Sequence, residues 1–215
     1  MPTFDTFSSL LRIASKYEMP TVRSQLLEVI HDAYPETFER VTPTRTLGER
    51  VFSGSTPHPN EVLNLFVQQG LAFALPMAYY MAARRGVSSL MDRRLPQSAT
   101  LPPEILQSAI NGFVALRELE LNETHRLVLR TRTSAPCSSL GCTLSGPRIF
   151  DGHQKVVDRI TGPSRSGTKV LQILSLGEGD FDGFCENCVK GWEDGHIGVR
   201  KKAWDMLPTV FGLRD

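Results

Sequence analysis

Apolar residues recur every three or four positions through the first part of the chain, the spacing that places side chains on one face of an α-helix. The first such run predicts a helix over Phe4–Tyr17, and a second run predicts a helix over Pro20–Ala33. Pro20 suits the start of the second helix, because the first turn leaves its backbone N–H groups unbonded and proline has none. The pattern therefore predicts a helical hairpin with a very short connection.

The apolar face of this hairpin needs cover from water, because contiguous exposed apolar patches on a monomer are small. We expect either the downstream helices or another molecule to cover it, and we expect the exposed part to drive association. The positions concerned are Phe4, Phe7, Leu10, Leu11, Leu26 and Ile30.

Helical spacing returns after residue 58 and predicts further helices, whereas alternating patterns typical of strands do not exceed a few residues. The sequence therefore predicts a mainly α fold. Four helices are predicted at Pro59–Gly70, Leu75–Arg84, Val87–Arg93 and from Pro102–Glu104 to Arg130. Later helices are predicted at Phe150–Ile160, at Val170–Leu176, and from Phe184 or Cys185 to Leu207, where Pro208 ends or kinks the last one.

Composition suggests where this helical pattern divides. Residues 40–58 are rich in proline, threonine, serine and glycine and lack a helical period, which predicts a linker. Residues 131–148 have a similar composition and are expected to form a loop. The chain then consists of the hairpin at 1–39, the linker at 40–58, a bundle-like helical extension at 59–130 and a cysteine-bearing helical tail at 131–215.

The charge balance restricts the partners. With 24 lysines and arginines against 23 acidic residues, the net charge of +1 is too small to neutralise the phosphates of DNA or RNA. The compact basic cluster of Arg200, Lys201 and Lys202 is explained by a solvated helix face. We therefore expect no nucleic-acid partner, and a zinc-stabilised nucleic-acid-binding domain is the alternative function.

The hydrophobic pattern predicts neither a membrane span nor a secretory signal. The longest apolar stretch, Leu71–Ala83, contains Pro76 and is shorter than the roughly 20 residues that a spanning helix needs. The N-terminal residues lack a basic segment and include Asp5 where a signal is apolar. We expect the protein in the cytoplasm or nucleus, where cysteines stay reduced.

All four cysteines come in pairs, Cys137 with Cys142 in the predicted loop and Cys185 with Cys188 at the start of the final helix. A structural zinc takes four soft ligands in a tetrahedron, and these two pairs can supply them from two directions. We therefore predict one zinc ion that pins the loop to the helix. The alternatives are that the cysteines are packing residues, or that His153 replaces one of them.

Motifs for enzymatic chemistry are absent from the sequence. It contains no phosphate loop, nucleophile elbow, zincin helix or dinucleotide fingerprint. A redox Cys-x-x-Cys motif normally follows a βα pattern, which is not visible before Cys185. A zinc hydrolase would need an open coordination position, whereas a site of four cysteines is closed. We therefore predict a non-enzymatic protein, with no catalytic residue and no organic cofactor.

One stretch resembles a known family. LLRIASKYEMPTVRSQLLEVI, at residues 10–30, resembles the last two helices of a BTB/POZ domain, with the pair Lys16–Tyr17, a tight turn, and then Leu26 and Leu27. WDMLPTVFGL, after the Cys-x-x-Cys helix, resembles the tail of fungal BTB-domain proteins. The strands and helices that come earlier in a BTB fold are absent from this chain. The resemblance implies a protein-interaction adaptor that associates with itself, recruits a cullin-type ubiquitin ligase scaffold, or contacts a transcriptional regulator.

Overall fold

The computed structural model describes residues 2–41, 52–53, 56–133 and 185–213. Over these residues the predicted mainly α fold is confirmed, because they form helices and turns and contain no strand. The chain divides into two compact units: unit 1 contains Met1–Phe113 and Leu207–Asp215, and unit 2 contains Val114–Met206. Each unit has buried apolar residues of its own.

Seven α-helices follow in chain order within the described residues. They are α1 Phe4–Lys16, α2 Pro20–Ala33, α3 Pro59–Gln68, α4 Leu75–Ala83, α5 Val87–Leu90, α6 Pro103–Thr133 and α7 Glu186–Val210. Short 3₁₀ turns occur at Phe38–Arg40, Ala72–Ala74 and Gln97–Ala99.

The predicted bounds agree with α1 to α4 within two residues, whereas α5 and α6 end elsewhere than predicted. Helix α5 stops at Leu90, before the predicted Arg93, and α6 continues to Thr133, into the predicted loop. The helices predicted at Phe150–Ile160 and Val170–Leu176, and most of the predicted linker, lie outside the described residues.

Helix α7 contains Pro208 and ends at Val210, so Pro208 does not end it and the helix continues three residues beyond the predicted Leu207. A glycine ends the helix instead of the proline. Gly212 has a φ of 69°, its N–H donates to Thr209 O at 3.1 Å, and Leu213 N donates to Pro208 O at 2.7 Å. This is the Schellman motif, which satisfies carbonyl groups of the last turn.

The same motif ends α1, but with glutamate in the glycine position. Glu18 has a φ of 51°, and Met19 N donates to Ala14 O at 2.9 Å. Pro20 then opens α2 at its first turn. The hairpin connection therefore consists of Tyr17, Glu18 and Met19, as short as the sequence predicts, with Glu18 in the left-handed conformation that L-residues adopt at a cost.

Helix α4 is the most deeply buried part of unit 1. Every residue of Met77–Ala83 is buried, so α4 has no solvent face along this stretch. Helix α3 packs beside it and buries Val62, Leu63, Leu65 and Phe66. Because α4 is apolar on all sides, its sequence lacks the one-sided period that marks a surface helix.

The first hairpin packs against this core with only part of its predicted apolar face. Phe7, Leu11 and Ile30 are buried, Phe4 and Leu26 are half-buried, and Leu10 is 41% exposed. Elements within the chain provide much of the cover. Phe52 lies edge-on to Phe7 with 5.2 Å between ring centroids, Tyr34 lies edge-on to Phe66 at 4.8 Å, and His31 stacks on Phe73 at 4.1 Å.

Two buried asparagines on α3 hold the segment that leads into α6. Asn60 Nδ2 donates to Ala99 O at 3.1 Å, and Asn64 Nδ2 donates to Ser98 O and Thr100 O, both at 2.9 Å. These carbonyls need partners because they lie next to the core. The side-chain amides of α3 therefore supply the hydrogen-bond donors for the backbone carbonyls of this segment.

The C-terminal segment completes unit 1 by inserting an aromatic ring. Phe211 is 1% exposed and stacks on Tyr79 with 5.1 Å between ring centroids. The ring also lies directly against Gly112 of α6, where a Cβ would overlap three of its carbon atoms. Glycine weakens a helix interior, so its presence here has a packing reason.

Among the described residues, unit 2 contains the later part of α6 and most of α7. Leu116, Leu119 and Ala203 are buried apolar residues of this unit. Lys202 Nζ of α7 lies 2.5 Å from Glu123 Oε1 of α6, and Arg126 of α6 lies 2.9 Å from the same oxygen. An ion pair therefore joins the two helices.

Candidate functional site

A groove lies at the turn of the first hairpin, where it meets the C-terminal end of α3. Its volume is about 790 Å³. We call it the hairpin groove, and its lining residues come from the end of α1, the turn, the start of α2 and Gln68 with Gln69. Arg12 Nη2 donates to Gln68 Oε1 at 3.3 Å, which ties α1 to α3 at the edge of the groove.

The lining of the hairpin groove is predominantly cationic. It includes Arg12, Lys16 and Arg23 but a single carboxylate, that of Glu18. None of the three cations forms an ion pair with a described residue. Arg12 donates a hydrogen bond to the neutral Gln68, and Lys16 Nζ lies over the Tyr17 ring, 5.5 Å from its centroid. The groove therefore presents positive charge that the described part of the protein leaves unneutralised.

Two polar atoms buried at the hairpin groove are also unsatisfied. Ser15 Oγ and Gln69 Oε1 are inaccessible to solvent and have no hydrogen-bond partner among the described residues. A buried polar atom without a partner destabilises a fold by about 1–3 kcal/mol. Asn60 Oδ1 and Asn64 Oδ1 of α3 share this property, so it is not confined to the groove.

Sequence reasoning missed the hairpin groove, although a signal was available. Arg12, Lys16 and Arg23 have no acidic residue three or four positions away, which is where a helix would place an ion-pair partner. Gln68 and Gln69, by contrast, approach these residues only through the packing of α3 on the hairpin. The sequence alone shows that these cations lack helical ion-pair partners, but it does not predict the concave shape of the groove.

An exposed apolar stripe runs along α1. Leu10, Ile13 and Tyr17 are 41%, 48% and 65% exposed, and their spacing of three and four residues places them on one side of the helix. We call these three residues the outer stripe. Met19 in the turn and Val29 on α2 are further exposed apolar residues of the same hairpin. The hairpin thus presents more apolar surface to solvent than isolated surface leucines do.

The predicted zinc ligands are only partly within the described residues. Cys185 directly precedes α7 and Cys188 lies in its first turn, both half-buried, with Cys188 N donating to Cys185 O at 2.9 Å. Cys137 and Cys142, like the alternative ligand His153, lie outside them. Among the residues that are described, no group of three or more metal-ligating side chains comes together. The zinc site therefore stays a prediction.

A histidine, a glutamate and a serine meet at the start of α3, but as a helix cap. His58 Nδ1 accepts from Asn60 N at 3.3 Å, while Glu61 Oε2 accepts from His58 N at 3.1 Å. Ser98 Oγ donates to Glu61 Oε1 at 2.6 Å, so its hydroxyl faces the carboxylate and not the imidazole. Burial, then the charge of Arg85, lowers the pKa of His58. This arrangement is a capping box joined to the 97–99 turn.

The basic cluster at residues 200–202 forms only in part the solvated face that the sequence predicts. Lys201 and Lys202 are exposed, and Lys202 pairs with Glu123, whereas Arg200 is 3% exposed. Burial, and then the charge of Arg200, lowers the pKa of the half-buried His196 to about 4. One of the three cations is therefore buried, and a second is exposed but paired with a carboxylate.

Comparison with known proteins adds no further constraint. No family model, no curated protein and no solved structure matches the chain. None of the helices within the described residues is both long enough and apolar enough to cross a membrane.

Proposed function

We propose that this protein is a non-enzymatic protein-interaction module of a BTB-type adaptor, and that the outer stripe is its contact surface. The observation that carries the proposal is the exposure of Leu10, Ile13 and Tyr17 on one side of α1. Contiguous apolar surface on a folded protein marks a contact with another molecule. The resemblance of residues 10–30 to the end of a BTB domain supports the same function.

The proposed partner is a second copy of this chain or a cullin-type ubiquitin ligase scaffold, in the cytoplasm or nucleus. Both are implied by the resemblance to BTB adaptors. A transcriptional regulator is the other partner that this resemblance implies. Interfaces are enriched in aromatic residues and methionine near their centres, and the hairpin offers Tyr17 and Met19 at 65% and 42% exposure.

Sedimentation velocity of the purified chain, alone and with a purified cullin scaffold fragment, tests this proposal. We expect a concentration-dependent complex in at least one of the two experiments. Ile13→Gln should weaken that complex, because it replaces an exposed anchor with a polar side chain of good helix propensity. Met91→Gln is the matched control, since Met91 is 56% exposed and lies outside the hairpin.

The proposal is wrong if neither experiment gives a complex, or if Ile13→Gln and Met91→Gln affect the complex equally. Circular dichroism of both variants checks that the helices are retained. Equal helical content with unequal association would locate the effect at the surface.

We further propose that a structural zinc ion stabilises the tail through Cys137, Cys142, Cys185 and Cys188. Support comes from the position of Cys185 and Cys188 at the start of α7, where the helix dipole favours the thiolate that zinc binds. Elemental analysis of the purified protein should give one zinc per chain. Cys188→Ala should abolish that stoichiometry, and zinc-free wild-type protein would contradict the proposal.

A further inference from the structure

The hairpin groove combines two features of a binding site. It is concave, with a volume of about 790 Å³. It carries three cations against one carboxylate, without ion pairs to described residues. Each feature alone is common on protein surfaces, but together they are typical of a binding site for a polar, negatively charged ligand.

The charges indicate the chemistry of the ligand. Arg12, Lys16 and Arg23 come from two different helices and line the same groove, so one ligand with several carboxylates can contact all three. Guanidinium groups bind carboxylates through two parallel hydrogen bonds, and such charged hydrogen bonds are stronger than neutral ones. The carboxylate of Glu18 lines the same groove and repels an anion, so it limits the number of ligand carboxylates that the groove accepts.

The size and the remaining lining favour a peptide over a small inorganic anion. A volume of about 790 Å³ lies in the range of sites for organic ligands, which span roughly 300–1,000 Å³. Ala14, Met19 and Pro20 add an apolar part to the lining, which a phosphate ion would leave uncovered. Met19 is 42% exposed and is available to an apolar side chain of the ligand.

We propose that the hairpin groove binds an acidic segment of a partner protein, with its carboxylates on Arg12, Lys16 and Arg23 and an apolar side chain beside Met19. The inference rests on the proposed function, because it assumes that the ligand belongs to a protein partner. It adds a second, electrostatic contact to the apolar contact of the outer stripe.

Fluorescence anisotropy with a labelled peptide that alternates glutamate and leucine tests the inference on the full chain. We expect the acidic peptide to bind, and the peptide with glutamine in place of glutamate to bind at least about tenfold more weakly. Arg12→Gln and Arg23→Gln should each weaken binding of the acidic peptide by about tenfold, since each removes a charged hydrogen bond. Arg93→Gln, an exposed arginine that does not line the groove, is the matched control.

Two further variants separate a binding role from a structural role. Ser15→Ala should leave the melting temperature equal or higher, because it removes a buried hydroxyl without a partner among the described residues, and should leave peptide binding unchanged, because a ligand in the groove does not reach that hydroxyl. Glu18→Gln should strengthen binding several-fold, because it removes the one carboxylate of the lining while keeping a non-glycine residue at that position.

Several outcomes overturn the inference as a whole. They are equal binding of the glutamine peptide, equal loss with Arg93→Gln, and displacement of the acidic peptide by inorganic phosphate as complete as by unlabelled peptide. Preferential binding to vesicles that contain phosphatidylserine would instead identify a membrane surface as the ligand. If the peptide does not bind while Ile13→Gln still weakens association, the groove inference fails and the proposed function stands. If the peptide binds but Ile13→Gln changes nothing, the proposed contact surface fails instead.

Discussion

Substitution of Gly112 by alanine offers the sharpest test of how unit 1 is packed. In an ordinary helix interior this change stabilises by about 1 kcal/mol, because alanine has the higher helix propensity. Here the added methyl group would overlap the Phe211 ring, which is 1% exposed. If the ring has to leave its site, the loss approaches the roughly 3–5 kcal/mol measured for replacing a buried phenylalanine by alanine. We therefore expect a net destabilisation of about 2–4 kcal/mol.

A double-mutant cycle shows whether Phe211 causes this effect. With Phe211→Ala in the background, the ring is gone, and Gly112→Ala should then stabilise by about 1 kcal/mol. The free energy of unfolding is measured for all four proteins by urea titration with circular dichroism. Stabilisation by Gly112→Ala in both backgrounds would refute the contact between Phe211 and α6.

Three further predictions concern the hairpin turn and unit 2. Glu18→Gly should stabilise the protein by up to about 1 kcal/mol in thermal unfolding, because glycine adopts the φ of 51° without steric cost. His196, with its folded pKa lowered to about 4, contributes stability that is complete above its unfolded pKa of about 6.5 and is lost as the pH falls towards 4. The free energy of unfolding should fall by roughly 3 kcal/mol over this pH range. Urea titrations at several pH values should show this fall for the wild-type protein and not for His196→Gln. Lys202→Met should cost about 0.5–1 kcal/mol in urea titration and raise the pKa of Glu123, since the hydrogen bond from Lys202 is the main cause of its lowering.

The sequence predicted the hairpin well because its signals are local. The apolar spacing of α1 and α2 and the position of Pro20 depend only on neighbours in the chain, and the structure has both helices at the predicted place. The same spacing could not distinguish Leu11, which is fully buried, from Leu10, which is 41% exposed. That difference depends on which elements pack against α1, and these follow much later in the sequence.

Packing between distant segments explains the features that sequence reasoning missed. The hairpin groove needs Gln69 and Ser15 to line the same surface, and Arg200 is buried although its neighbours Lys201 and Lys202 are exposed. The proline rule also misplaced the end of α7, because Pro208 removes one hydrogen bond without preventing one further turn. Gly212, which adopts a positive φ, marks the end more closely.

The insertion of Phe211 against Gly112 and Tyr79 has a consequence for the order of assembly during synthesis. Phe211 leaves the ribosome after every other element of unit 1 and after all of unit 2. Until then, the site on α4 and α6 that it fills is open, and a nascent chain in this state exposes apolar surface that attracts chaperones and favours aggregation. Closing this contact also requires a long loop to form, which has an entropic cost and makes late docking the slower step. The translation of Phe211 therefore determines when the core formed by the earlier helices of unit 1 is completed.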